Sequence, residues 1–432
     1  MKTRTRTSTL LLVVSLLCLG CGDTISDTTP ASGFVPSAPL SPYSTAGDGQ
    51  ITVTWTAPSS PGAASITRYN IYRGTSSGSM VYYAYSSTPQ FLDKSATNGT
   101  TFYYAITAVN SVGEGARSLP TSATAVFNAS TMISVPAGTY VMGAAEGEPS
   151  DPEELPRHNV TLSAYQIGKY EVTNQRYADV MNWALTNGHL TDFNGAPYAG
   201  GTAYAGNVGM VYVYNIECHL AYSGGQFVVE SKDGHSMADY PISGVTWYSA
   251  VLFCHFLSRM EGLDPVYITT GDWDRYTPLR NGYRLPTEAE WERAAAWDSS
   301  ISKHWRYGFQ SDTISSDRAT YDGNNLIGLS TFPYLTPVGY FNGRPGTTDS
   351  QSPIGCYDMT GNVYEWVHDW YLGSYYSGGD MVDPIGNLPA SFKVLRGGSE
   401  FVDSFHCRSA HRYERPGSVI IYHAGFRLAR TP

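Results

Sequence analysis

Tyr283-Arg284-Leu285-Pro286-Thr287-Glu288-Ala289-Glu290-Trp291-Glu292 is the stretch on which the reading of this chain turns. Pro286 cannot continue a helix from its N-terminal side, Thr287 can accept at an N-cap, and Glu290 stands three residues on, so a capping box starts a helix over Glu288 to Trp297. Two more segments have a helical pattern, Asn174 to about Ala184 and Trp247 to about Met260. Most of the rest of the region from 129 to 432 reads as loop. Loops of that length must be held by local polar contacts, metal ions or disulfides, because their backbone groups lack regular partners.

Composition agrees with a folded, turn-rich chain. With 42% apolar residues it is too apolar for disorder, and 44 Gly and 25 Pro punctuate it too often for a helical bundle. Its 27 Lys+Arg against 37 Asp+Glu leave a net charge of −10, which excludes a basic nucleic-acid binder.

Residues 1–21 read as an export signal: Lys2, Arg4 and Arg6 are positive, and Leu10 to Leu17 form an apolar run too short to span a bilayer. Cys18-Leu19-Gly20-Cys21 resembles the lipobox of bacterial lipoproteins, with Cys18 where Leu is usual. That resemblance implies lipidation at Cys21 and a membrane-anchored protein at the bacterial cell surface; the alternative is a secretory signal cut nearby. Residues 22–35, rich in Thr, Ser, Pro and Ala, read as a tether. Of the six cysteines, Cys218, Cys254, Cys356 and Cys407 remain after the signal; they read as disulfides, in any of three pairings, or as buried thiols.

Between 36 and 127, Ile51 to Trp55, Tyr69 to Tyr72 and Phe102 to Val109 alternate apolar and polar residues between turn clusters, the pattern of a small antiparallel sandwich. Trp55, then Tyr69-Asn70-Ile71-Tyr72-Arg73, then Ala108-Val109-Asn110 make this segment resemble a fibronectin type III domain. Phe102 stands at the family's corner tyrosine, which removes the usual hydroxyl-to-backbone bond. We read the module as a spacer.

Beyond it, Val135 to Gly143, Tyr170-Glu171-Val172-Thr173-Asn174, Tyr240 to Trp247, Tyr283 to Glu292, Asp358 to Trp366, Arg396-Gly397-Gly398-Ser399 and Gly425-Phe426-Arg427 resemble, in order, the blocks of the formylglycine-generating enzyme (sulfatase-modifying factor) family. The resemblance implies an irregular α+β variant of the C-type lectin fold, so the chain is expected to be multidomain: an all-β fibronectin type III sandwich at 36–127, then this domain at 129–432. Fold does not bring chemistry with it. The family's oxidases hold copper on two cysteines soon after the Arg-Gly-Gly-Ser block; here Val402 occupies the first place and Cys407 is a lone thiol, so no copper and no catalytic residue are expected. The family's calcium site matches Asp358, the carbonyls of Gly361 and Val363, and Glu365, which implies a structural Ca²⁺; the alternative is a hydrogen-bonded turn closed by Glu365. No HExxH, P-loop or nucleophile-elbow pattern occurs, and His255, in an apolar segment, reads as a core histidine.

After Ser399 a fixed frame alternates with chemically irregular inserts, and this resembles the variable region of diversity-generating retroelement lipoproteins. The inserts that fit are Phe401, Val402, Asp403, Ser404, Phe405, His406, His411, Tyr413, Ser418, Val419, Ile420, Ile421, Tyr422 and His423. Glu400, Glu414 and Arg415 do not fit and are left aside. Tyr, Phe and His give contact area at small ordering cost, as in paratopes, so residues of about 400–423 are expected to bind a protein or cell-surface ligand. Burial of Val419-Ile420-Ile421 as a strand is the alternative at that segment. Two other functions stay open: an oxidase of the same family with altered chemistry, and a structural envelope module.

Overall fold

The computed structural model describes residues 33–432 apart from 48, 97–99, 126–130, 146, 193, 195–201, 206–207, 213–217, 270–272, 274, 276–278 and 387–389. The export signal, Cys21 and most of the tether therefore lie outside the described residues. Among the described residues, no helix is long and apolar enough to cross a membrane.

The first unit is a sandwich of two antiparallel sheets. Strands β1 (Leu40–Gly47), β2 (Gln50–Thr56), β3 (Arg68–Gly74), β4 (Val81–Ser86), β5 (Gln90–Asp93), β6 (Thr101–Val109) and β7 (Thr121–Thr124) arrange as β1-β2-β5 facing β4-β3-β6-β7. Alternation explains the core: Ile51, Val53 and Trp55 of β2 meet Phe102, Tyr104, Ile106 and Ala108 of β6, all buried. Phe102 has no hydroxyl to give, and the Arg73 guanidinium lies 3.7 Å over its ring instead. Two residues on, Tyr104 donates its hydroxyl to the buried carboxylate of Asp93 at 2.6 Å. The polar anchor of the strand has moved by one inward-facing position.

The second unit is an irregular α+β domain, as expected. Its sheet-forming ends meet: the short pair at Ala429–Arg430 runs antiparallel to β11 (Tyr165–Gly168), which pairs in turn with β8 (Met132–Val135), after β9 (Gly138–Met142) and β10 (His158–Leu162) have formed their own ladder. Three helices follow the sequence reading closely, α1 (Asn174–Thr186), α2 (Trp247–Met260) and α3 (Glu288–Ala296). Each starts on a threonine. Thr173, Thr246 and Thr287 accept from the backbone N–H of Arg176, Ser249 and Glu290, and at α3 the Glu290 side chain closes the capping box. Helix α2 is almost wholly buried, with Phe253 stacked on Tyr177 of α1 and edge-on to Phe426. Core tryptophans are satisfied: Trp247 donates to the Val367 carbonyl, Trp366 to the Val245 carbonyl and Trp291 to Glu365.

The C-terminal segment is held by buried arginines. Arg396 donates to Glu288 and Glu292 and to the carbonyls of Ser409 and Ala410. Arg408 forks onto Glu154 at 2.6 and 2.7 Å, Arg412 onto Glu288 at 2.7 and 2.9 Å, and Arg427 onto Glu365 at 2.6 and 2.6 Å. The two glycines after Arg396 are required by geometry. Gly398 has φ +75°, and a Cβ there would meet Cys407 Sγ at 2.6 Å.

Removing one partner of such a pair strands a buried charge. Glu154→Ala should therefore lower the unfolding free energy by about 3–5 kcal/mol in urea denaturation. The exposed Lys303–Asp312 pair is the control, and Asp312→Ala should cost less than about 1 kcal/mol.

Candidate functional site

Burial divides the last forty residues as frame and insert. Residues 407–410 are buried, and so are Arg412, Gly417 and residues 424–429. Phe401, Asp403, Ser418, Val419 and Tyr422 are exposed. Val402, Ser404, Phe405, His406, Tyr413, Ile420, Ile421 and His423 are half-buried. Val419-Ile420-Ile421 forms no strand, and Ile421 with Val402 leans on the main core from outside.

One expected surface residue is corrected. His411 is 4% exposed, and burial, followed by the neighbouring His406, lowers its pKa to about 3. Its ring packs against Phe405 and His406. It supports the insert rather than facing solvent.

The two inserts, distant in sequence, meet in space. The Phe401 ring lies parallel to His423 with centroids 5.2 Å apart, and Phe332, from a loop that no pattern singled out, sits 5.7 Å from Phe401 and 5.2 Å from His423. Beneath them Glu400 is fully buried and bonds His423 Nδ1 at 3.0 Å. Burial raises its pKa, which the His423 contact partly offsets. Glu400, which does not fit the insert pattern, forms the buried base beneath it. A second cluster carries the lower edge, where Asp403 Oδ1 pairs with His406 Nδ1 at 2.7 Å and Arg408 lies 3.9 Å over the Phe405 ring. Tyr413 stacks on Tyr364 at 4.8 Å, with Arg415 4.2 Å over its outer side. The assembly is an aromatic and imidazole surface on a rigid support, suited to contact rather than to bond making.

The described cysteines are all free and buried. Of the two readings left open, buried thiols are the one the structure has. Cys407 has its Sγ 4.0 Å from the carbonyls of Ser399 and Val402, and burial pushes its thiol far above the usual range. Such a thiol is a poor nucleophile and a poor ligand. His255 is half-buried in α2, with burial lowering its pKa to about 4.

At the expected calcium turn, Asp358, Gly361 and Val363 lie together in a buried segment in which Asp358 has φ +57° and Gly361 φ +76°. At Glu365, Arg427 bonds both carboxylate oxygens and Trp291 donates to Oε2. Among the described residues, no three His, Cys, Asp or Glu side chains converge as a ready ligand set. A carboxylate missed in the sequence lies close instead. Glu171 is 1% exposed, accepts from Asn362 on Oε2, and has a buried Oε1 without a partner. Burial, then the charges of Asp358 and Glu365, hold its pKa well above the ordinary value, and burial pushes Asp358 up to about 6. Glu171 and Asp358 lie within electrostatic reach of each other beside the Glu365–Arg427 pair, so carboxylate oxygens of the kind a hard divalent ion takes are present next to the Gly361 and Val363 backbone.

Over this domain the chain is similar to several known proteins. Relatives include the formylglycine-generating enzyme of Streptomyces coelicolor, 28% identical over 325 residues, covering 69% of this chain and 88% of the relative. A serine/threonine-protein kinase of Chlamydia trachomatis is 24% identical over 305 residues, and the match spans 38% of that kinase. Among solved structures, Treponema denticola variable protein 1 superposes with a TM-score of 0.45 at 24% identity, covering 70% of this chain and 95% of that one. Residues 117–432 match the sulfatase-modifying factor enzyme 1-like domain, and the chain belongs to that family.

Proposed function

We propose that this chain is a lipid-anchored protein of the bacterial cell surface that uses residues of about 400–423 to bind a protein or cell-surface ligand. The observation that carries the reading is the split of the C-terminal segment into a buried frame tied by arginines and two inserts that meet at the Phe401–His423 stack. Substitution at Phe401, Val419 or Tyr422 changes the outer surface without touching the arginine anchors. Formylglycine generation, the activity in the name of one relative, is disfavoured by Val402 at the first thiol position and by the buried, protonated Cys407.

The test reads codons 396–430 from many cells of one strain. Variation confined to the insert codons, sparing Arg396 to Ser399, Cys407 to Ala410 and Gly425 to Arg430, is the expected result. An invariant segment in every cell would remove diversification and leave a fixed binding face. Once a ligand has been captured by display, Phe401→Ala and Tyr422→Ala should weaken its binding at least tenfold while changing stability by less than about 1 kcal/mol.

The same reading includes a structural Ca²⁺ on the turn after Met359. Asp358 and Glu171 would supply carboxylate oxygens and Gly361 and Val363 carbonyls, with Glu365 left to orient Arg427. Bound there, the ion offsets the surplus negative charge of the pocket. Adding Ca²⁺ should raise the melting temperature of EGTA-treated protein, and Glu171→Gln should shrink that rise. Identical melts with EGTA and with Ca²⁺ would leave the turn a hydrogen-bonded one.

A further inference from the structure

A cavity of about 260 Å³ lies between the sandwich and the lectin-like domain, and none of the residues lining it belongs to the C-terminal inserts. One side of the junction is clamped by a reciprocal contact: Lys94 Nζ donates to the Asn342 carbonyl at 2.9 Å and reaches Asp349 at 3.3 Å, while Asn342 Nδ2 donates back to the Lys94 carbonyl. Gly49 and Ala96 face the space from the sandwich, and Tyr170, Tyr240, Tyr340 and Arg344 from the larger domain.

Arg344 sets the chemistry. Its Nε makes a long 3.4 Å contact with Asn342 Oδ1, and its guanidinium stands 4.6 Å from the Tyr340 ring centroid. Among the described residues, Nη1 and Nη2 have no hydrogen-bond partner and no carboxylate lies within ion-pair distance. The four arginines of the C-terminal frame are each forked or bridged to glutamate, whereas Arg344 is half-buried and, among the described residues, forms no ion pair. Burial accordingly depresses its pKa. A half-buried guanidinium that lines a cavity and has no ion-pair partner favours a bidentate anionic ligand, for which carboxylate geometry is suited. The tyrosine walls supply flat surface for an apolar or sugar body. Asp239 also lines the cavity, which disfavours a ligand carrying a second negative charge.

We propose that this interdomain cleft binds a small organic monocarboxylate, with Arg344 holding the carboxylate and the three tyrosines flanking the rest of the molecule. Such a ligand would touch both domains. The sandwich then contributes part of a binding site as well as spacing.

Isothermal titration of the full chain with benzoate and glucuronate, set against benzamide and glucose, tests this. At least one of the two acids should bind at least tenfold more tightly than its neutral counterpart. Arg344→Met should abolish the difference, and Arg344→Lys, which keeps the charge and loses the fork, should retain part of it. Ser236→Trp fills the cleft from an exposed position without touching Arg344, and should block the acid even if the arginine variant folds poorly. Failure of both acids to saturate by about 10 mM, equal affinity for acid and neutral partners, or undiminished binding by Ser236→Trp would each overturn the assignment.

Discussion

Buried guanidinium–carboxylate pairs set the limits of this fold. Arg396, Arg408, Arg412 and Arg427 come from a short C-terminal stretch, and their glutamate partners come from the η-turn at 152–154, from helix α3 and from the strand at Tyr364–Trp370. Loops cannot satisfy one another through ladders, so fork-shaped donors that also reach backbone carbonyls take over that role. Net stability from each pair is modest, since desolvation offsets most of the attraction. Specificity is strong, because a misplaced chain leaves charges buried and unpaired.

That division explains how a surface can be altered independently of a core. The inserts leave the frame at Ser399 and Arg412 and return to it at Cys407 and Ala424, so each is tied at both ends to buried, multiply bonded residues. Cys407 is part of the tie. Gly398 admits it by lacking a Cβ, and burial holds the thiol far above the usual range.

Much of the fold could be read from residues whose signal is local. The capping box at Thr287 and Glu290 is written in four consecutive letters, and the phase of Phe102 to Ala108 is written in alternation, so both α3 and β6 are legible to within a residue or two. What escaped is non-local. Phe332 joins the aromatic cluster from a loop some seventy residues earlier than Phe401, Glu171 faces Asp358 across the domain, and Arg344 meets the sandwich only after both units have folded. His411 departs for a related reason: its residue type fits the insert pattern, while its position between Ala410 and Arg412 ties it to the frame. Glu365 shows the same limit, because the family resemblance implies a ligand there and only the fold reveals Arg427 closing on it.

The Phe401–His423 stack couples two segments that the gene encodes far apart. A change at one of these codons alters the shape that the other must fill, and both rest on the same buried Glu400. Substitutions there will not combine freely: a large ring at 401 tolerates a planar partner at 423 and would lose its support beside a small aliphatic one. Any repertoire built on this scaffold is thus smaller than the product of its separate positions, and its members should show epistasis between the two loops that no single-site survey would detect.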